Sequence, residues 1–534
     1  MRIGKIALMG GVAAIAMITA AGAKSANSTA KIADIKDADK PLVLAQNSPS
    51  SSTSSMSNAE LAARLQALED ALSNRDERAQ ADRTRLSTLE QQYNYASWTY
   101  DNGRPTILTG DGRFTMSFRT RFQSDFAVFS QDQQPASFGG PRDLSSGAVI
   151  RRAYFGIEGK AYSDFAYEFR LNLGGSGVEG ADLSKAVVHY IGIPNWHFSM
   201  GVLEPAFMFE GTTSSGNLIF LERPEIDNIG QDIFGAGDAR RGIEVGWAKS
   251  DVLWAGDNIN ATIYFTGNKT QNAAGHGNGG DEQSQLLGRF ADRIWSNGLS
   301  NLSVGMSIAH IFNSGTGSGQ PAINLQDRPQ NRVDGTRLVS TGNITAQTAD
   351  LIAFDMGGNY ENFFLGGEWA QFTLDRQCGT ITSAGNPLCT SSTAVIDHPT
   401  FEGWYVEGSW IITGETRPYT PNSLNNETGG FQQPVPSRPF SLRGDSWGAW
   451  ELVARYSSVD LNWNPSQTAT ASRLAGVVGG KETIFDIGIN WYMNRNVKLL
   501  IHDSFVSVEK GTAALPTRDN QDLNILGVRL QFSN

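Results

Sequence analysis

A two-residue rhythm constrains this chain more than any other feature. Between Phe114 and Val128, the residues Phe114, Met116, Phe118, Phe122, Phe126 and Val128 fall on one parity, while Thr115, Ser117, Arg119, Arg121, Gln123 and Asp125 fall on the other. Successive side chains of a strand point to opposite faces, so this ribbon is greasy on one side and polar on the other. The rhythm returns where Trp196, Phe198, Met200 and Val202 alternate with His197, Ser199 and Gly201, and where Trp404, Val406 and Trp410 alternate with Tyr405, Glu407 and Ser409. It returns again where Trp450, Leu452, Ala454 and Tyr456 alternate with Glu451, Val453 and Arg455, and in the last segment, Leu526, Val528, Leu530 and Phe532 against Gly527, Arg529 and Gln531. Clusters of Gly, Asn, Asp and Ser separate these segments, and no period of 3.6 persists beyond Pro105.

A soluble β-sandwich also alternates, so the character of the two faces has to decide. The apolar faces are heavy in Trp, Phe and Tyr, as aromatic girdles at lipid interfaces require. The opposite faces carry charge and glycine, which suits a watery lumen, and the chain closes on an alternating strand with an aromatic at Phe532, followed by Ser533 and Asn534. After the leader, nothing approaches 18 consecutive apolar residues, and without helices only a closed barrel satisfies every backbone polar group in lipid. The expectation is an all-β fold, a transmembrane antiparallel β-barrel over residues 105–534. At roughly 9–11 membrane residues per strand plus connections, this length predicts about sixteen strands, with fourteen or eighteen as alternatives. A barrel of that size encloses an aqueous channel.

The N-terminal part reads differently. Arg2 and Lys5 precede an apolar run from Ile6 to Ala21, and small residues follow, so residues 1–23 read as a signal peptide cleaved after Ala23 or Ala26. Residues 24–57, rich in Ser and Ala, read as a flexible linker. Leu61, Leu65, Leu68, Leu72, Ala79, Leu86, Leu89 and Tyr93 then fall on steps of four and three, interrupted by Arg75 and Asp82. This is an imperfect heptad seam, and it predicts a short periplasmic α-helical coiled coil over residues 58–93; a helix packed on a neighbouring domain is the alternative. The formal net charge of −11 and the lack of a Lys/Arg cluster argue against nucleic acid as a partner.

Several collinear segments carry a family resemblance: Val149-Ile150-Arg151-Arg152-Ala153-Tyr154-Phe155-Gly156, Gly201 to Pro205 with Thr212-Thr213-Ser214-Ser215 and Leu221-Glu222-Arg223, Arg337 to Gly342, Gly408 to Arg417, and Trp447 to Tyr456. Together they resemble the phosphate-selective porin O and P family across residues 105–534. The resemblance implies an outer-membrane homotrimer of sixteen-stranded barrels, each pore narrowed by an inward-folded third loop, here Glu204 to Ala239, with an ordinary extracellular loop as the alternative. It also implies an anion-contacting cluster at Arg151, Arg152 and Tyr154. Family members selective for phosphate carry a lysine after Thr-Ser-Ser, whereas this chain has Gly216 and Asn217. Mild anion preference is therefore the expectation.

Selectivity in a porin comes from charged side chains around the water column. Parity places Arg119, Arg121, Arg152, Arg170, Lys185, Arg455, Lys498 and Arg529 in the lumen, with Asp125, Glu158, Glu168, Glu244, Glu368, Glu407, Glu451 and Asp486 beside them. That balance excludes a uniformly positive tube but not a local positive girdle. The pore-lining, anion-binding candidates are Arg119, Arg121, Arg151, Arg152, Tyr154 and Arg170; the bland alternative pairs these arginines with Glu158, Glu168 or loop acids. Glu210, Glu222 and Arg223 are candidates in the constriction loop. Cys378 and Cys389, in an oxidising compartment, form a candidate disulfide. Six scattered histidines lack ligand spacing, so no metal and no cofactor is expected. No Gly-x-Ser-x-Gly nucleophile motif occurs, so the expectation is not an enzyme but a channel for small hydrophilic or anionic solutes. The rivals are a barrel that mainly anchors a peptidoglycan- or partner-binding coil, and a barrel hydrolase.

Overall fold

The computed structural model describes residues 57–94, 96–101, 103–131, 136–137, 140–141, 143–175, 182–269, 283–315, 322–376, 397–421, 430–468, 474–510 and 519–534. The expected signal peptide, nearly all of the linker, and Cys378 and Cys389 lie outside the described residues. Two compact units are distinguished, Met1–Thr84 and Arg85–Asn534.

The predicted heptad segment is one continuous helix, α1 (Asn58–Asn94). Ser57 starts it by accepting the Glu60 N–H on its Oγ at 3.3 Å, the cap that a serine three residues before a glutamate provides. The seam leucines are exposed, from 48% at Leu61 to 62% at Leu68, so this helix presents an uncovered apolar stripe.

Sixteen antiparallel strands follow. They are β1 (Thr115–Gln131), β2 (Gly147–Ala161), β3 (Phe165–Asn172), β4 (Asp182–Tyr190), β5 (Trp196–Leu203), β6 (Arg240–Ser250), β7 (Asn258–Lys269) and β8 (Ser284–Ser296), then β9 (Asn301–Asn313), β10 (Ile344–Tyr360), β11 (Phe363–Arg376), β12 (Thr400–Ile411), β13 (Ala449–Trp463), β14 (Val477–Tyr492), β15 (Val497–Lys510) and β16 (Asp519–Ser533). Each pairs with its sequence neighbours, and β16 closes on β1 in a register running from Leu523↔Gln131 to Ser533↔Arg121. Closure removes both sheet edges, the condition for strands to sit in lipid. Ser533 and Asn534 extend the seam: the Asn534 side-chain oxygen accepts the Thr120 N–H at 2.6 Å, and its own N–H donates to the Thr120 carbonyl at 3.1 Å. A hairpin of Ala96–Asp101 and Arg104–Thr109 joins the foot of β1.

Parity sorts the wall as expected. Phe126, Val128, Met200, Trp404 and Trp410 are exposed on the outside, while Arg119, Arg121, Arg152, Arg455 and Arg529 are buried within. The turns at one end are short, as at 162–164 and 361–362, with the exception of the connection 412–448, and the other long connections gather at the opposite end. In barrels of this kind the short-turn end is periplasmic.

Two features depart from the sequence reading. The interior is not polar all round: Leu351, Phe372, Phe401 and Leu461 face inward, and Phe207, Ile226, Ile229 and Phe234 of the third loop pack in the same apolar cluster. A helix also occurs after Pro105, namely α3 (Glu225–Phe234), which starts after Pro224 and ends at Gly235 in the left-handed region (φ 85°). Ten residues inside a loop are too few to disturb an alternation scan, but Pro224, Gly235 and the spacing of Ile226, Ile229 and Ile233 were a readable signal.

Candidate functional site

The connection Glu204–Ala239 folds into the barrel. Its first turn is α2 (Phe209–Thr212), and its backbone is fastened to the wall by several side chains. The Ala206 N–H donates to the Tyr264 hydroxyl (3.1 Å), Met208 to Ser307 Oγ (3.0 Å) and Phe209 to Glu368 (3.1 Å). On the far side, Asn490, Lys498 and Gln531 donate to the carbonyls of Ile219, Leu218 and Gly216 at 2.9, 3.2 and 2.9 Å. The loop thus crosses the lumen, its apolar side against the greasy wall and its Ser214–Gly216 tip toward β1 and β16.

Two further segments enter the lumen, and neither was foreseen in the sequence. From the connection between β9 and β10, Arg332 approaches Glu222 (3.6 Å) and Gln330 accepts a hydrogen bond from Arg455. From the long periplasmic-end connection between β12 and β13, Arg417 forms a two-point pair with Glu451 (2.7 and 2.9 Å), and Gln432 accepts a hydrogen bond from Asn217 of the third loop. Buried apolar residues inside such connections, Leu325, Leu338 and Phe431, were the available sign, since a solvated loop has no use for them.

All six pore-lining candidates meet in one cavity of about 190 Å³, bounded by β1–β4 and the third loop. Backbone irregularity brings two consecutive arginines there. Gln123 pairs with Arg152 but Ser124 pairs with Ile150, so Arg151 is the extra residue of a β-bulge and turns inward beside Arg152. A second bulge, between Arg170 and Leu171, does the same for Ser184 and Lys185.

Charge at this site is divided between compensated and uncompensated groups. Arg119 donates to Glu158 (3.0 Å) and Glu168 (3.3 Å), and Lys185 to Glu168 (3.2 Å). Arg170 pairs with Glu204 and stacks over the Tyr154 ring at 4.8 Å. Glu222 is a hub: it accepts from Arg151 at 2.8 and 3.2 Å and from Arg529 at 2.8 Å, with Arg152 at 3.9 Å. Burial would raise the Glu222 carboxyl, but the surrounding Arg151, Arg152, Arg529 and Arg332 hold it well below the usual carboxylate range. For Arg119, Arg151 and Arg170 the structural pairing is therefore what occurs.

Arg121 differs. Arg121 donates to Ser215 Oγ (2.6 Å) and Ser214 Oγ (2.9 Å), leaves its Nε unmatched, and has no carboxylate within 4.0 Å among the described residues. Arg152 is intermediate: it donates to the Gln123 amide oxygen at 2.8 Å and has the shared Glu222 carboxylate at 3.9 Å. Among the described residues, Arg223 of the loop donates to carbonyls, of Glu210 (2.8 Å) and Thr213 (2.9 Å). Gly216 makes room for this arrangement: a Cβ there would lie 2.7 Å from an Arg121 guanidinium nitrogen. Where the resemblance leads one to expect a loop lysine, the wall arginine occupies the space. Ser214, Ser215 and Gln123, not singled out in the sequence, are what hold it. Glu210, by contrast, lies with Asp227 on the loop's other side, where burial raises its carboxyl.

A family model described as phosphate-selective porin O and P matches residues 116–533. Porin O of Pseudomonas aeruginosa is 24% identical over 409 residues, which is 74% of this chain and 83% of that protein. An uncharacterized protein of Caulobacter vibrioides is 25% identical over 443 residues, 80% of this chain and 76% of its own. Among solved structures, the outer-membrane channel DcaP of Acinetobacter baumannii aligns at 10% identity and TM-score 0.43, covering 79% of this chain and 97% of that one. OmpT of Vibrio cholerae aligns at 9% identity and TM-score 0.42, covering 79% and 98%.

Proposed function

The chain belongs to the phosphate-selective porin O and P family of outer-membrane porins, and from that premise we propose a channel for passive diffusion of small hydrophilic solutes and ions with a mild preference for anions such as phosphate. The observation that carries the preference is Arg121, with Arg152 beside it. Arg121 borders the cavity and is held by the hydroxyls of Ser214 and Ser215, so its charge is left for a passing anion, while Arg152 beside it donates to the Gln123 amide oxygen and shares Glu222 at 3.9 Å with other arginines. Guanidinium stays charged across the accessible pH range and offers a planar fork to phosphate or carboxylate oxygens. The neighbouring cations are largely cancelled by Glu158, Glu168, Glu204 and Glu222, which keeps the preference mild.

Reversal potentials in planar bilayers under an asymmetric KCl gradient test this reading, with phosphate salts compared against chloride. An anion-to-cation permeability ratio above one supports it, and cation preference overturns it. No reaction is assigned to the site.

The working unit in this reading is a homotrimer, and α1 is a periplasmic coiled coil that joins its protomers. The exposed stripe of Leu61, Leu65, Leu68 and Leu72 favours this over a solitary helix, because a helix of these residues gains its stability by burying that stripe. Removing residues 24–93 is expected to weaken the trimer while single-channel conductance persists. Loss of conductance from intact trimers would instead make the helix part of the channel.

A further inference from the structure

The segment between β12 and β13 has two ends with opposite chemistry. Its first half turns into the lumen, where Arg417 is 2% exposed and Phe431 packs on Phe364 with ring centroids 5.0 Å apart. Its second half crosses the rim to the outside of the barrel. There the Phe440 N–H donates to the Met493 carbonyl at 2.7 Å, and its ring meets Trp491 edge-on at 5.0 Å. Trp491 stacks on Trp450 at 5.1 Å, and both indole N–H groups donate to the Trp447 carbonyl, at 2.7 and 3.2 Å. Their sequence neighbours Tyr492 and Glu451 are fully buried on the lumen side, so the tryptophans stand on the lipid-facing side. The cluster therefore belongs to the aromatic belt at the periplasmic rim.

From this cluster hangs a tight loop, closed by Ser441 N–H to the Ser446 carbonyl at 3.0 Å and by Gly444 at φ 97°. Leu442 at its tip is 93% exposed, and Arg438 and Arg443 beside it are exposed with no carboxylate within 4.0 Å among the described residues. Water solvates the two arginines but leaves the apolar surface of the leucine bare. At a leaflet boundary both kinds of group are satisfied, the leucine by acyl chain and the guanidinium by headgroup phosphate.

We propose that residues 438–447 form a membrane anchor, with Leu442 inserted into the periplasm-side leaflet and Arg438 and Arg443 binding the phosphates of anionic phospholipid. The occupant is lipid and not a second copy of the chain, because the loop continues a lipid-facing aromatic cluster and carries two arginines against Asp445, with Glu415 at its base engaged by the Ser437 N–H at 3.0 Å and hydroxyl at 3.1 Å.

The test uses the full-length protein in nanodiscs of phosphatidylethanolamine with or without phosphatidylglycerol. Leu442→p-benzoylphenylalanine is irradiated and the adducts are identified by mass. Phospholipid adducts are expected, enriched in phosphatidylglycerol. Arg438→Gln and Arg443→Gln should each reduce that enrichment roughly fivefold, the effect of about one basic residue at a charged leaflet. Added inorganic phosphate should leave it unchanged. Adducts between protomers, or none to lipid, would overturn the proposal, as would loss of the enrichment on adding phosphate, which would mark a free-anion site. All three positions are exposed and lie off the strands; retained heat-modifiable gel mobility verifies that each variant is folded.

Discussion

Replacing Arg121 by glutamine removes a charge that no carboxylate among the described residues cancels, so its effect on selectivity can be worked out from the contacts. An anion in the cavity approaches the guanidinium to about 4 Å, where the Coulomb attraction is ~1 kcal/mol in a water-like medium and ~4 kcal/mol at the effective dielectric of a protein surface. The lumen is wet, so the lower figure applies, and ~1 kcal/mol corresponds to roughly a fivefold change in an equilibrium ratio. Arg121→Gln should therefore lower the anion-to-cation permeability ratio about three- to fivefold. Arg121→Lys, which keeps the charge but cannot span Ser214 and Ser215 with a rigid fork, should change it less than about twofold. The assay is the reversal potential in an asymmetric KCl gradient near 0.1 M, where the Debye length of about 10 Å still lets a permeant ion feel the group. An unchanged ratio in Arg121→Gln would refute the assignment of the preference to uncompensated guanidinium.

Three more outcomes are expected. Gly216→Ala puts a Cβ within 3.0 Å of the Arg121 guanidinium without imposing a strained backbone angle, so it should displace that group from its serines. Anion preference should fall while unfolding midpoints hold, and an unaltered reversal potential would contradict the steric argument. Asp125→Ala removes the two-point partner of Arg529, both contacts being 2.6 Å and both side chains buried, and should cost about 3 kcal/mol because Glu222 still holds one guanidinium nitrogen. An unshifted denaturant midpoint in lipid vesicles would argue against it. Burial, with Asp327 nearby, pushes the Glu225 carboxyl up to about 8, and burial with Glu210 pushes Asp227 to about 7. Because these folded values lie above those of an unfolded carboxylate, α3 gains least as pH rises from about 4 through about 8. Hydrogen exchange over residues 225–234, corrected for intrinsic rate, should be faster at about pH 8 than at about pH 5, and slower exchange would reverse the sign assigned to burial.

The barrel was legible because a wall strand answers to one simple rule. Lipid outside and water or polar side chains inside impose a period of two, and every lumen assignment made by parity, from Arg119 and Asp125 to Lys498 and Arg529, is buried in the structure. The rule fails where the interior is neither water nor wall. Phe372 and Leu461 face inward yet are apolar, because Phe234, Ile226 and their neighbours from the third loop cover them. A one-dimensional alternation cannot report which connection folds back onto which strand, so the two segments bearing Arg332 and Arg417 went unread.

The arginine-lined cavity shows the same limit at the scale of single residues. Strict alternation allows only one of Arg151 and Arg152 to reach the lumen, yet both do, because the bulge opposite Gln123 and Ser124 inserts one residue and turns two consecutive side chains to the same face. Sequence could name the arginines but could not say which keep their charge. That depends on pairs formed across the lumen, Arg151 with Glu222 and Arg170 with Glu204, which join residues of the wall to a loop many positions away. What separates Arg121 from its neighbours is that the loop offers it Ser214, Ser215 and the empty space above Gly216 in place of a carboxylate. Its free charge is thus set by the loop as much as by the strand that carries it.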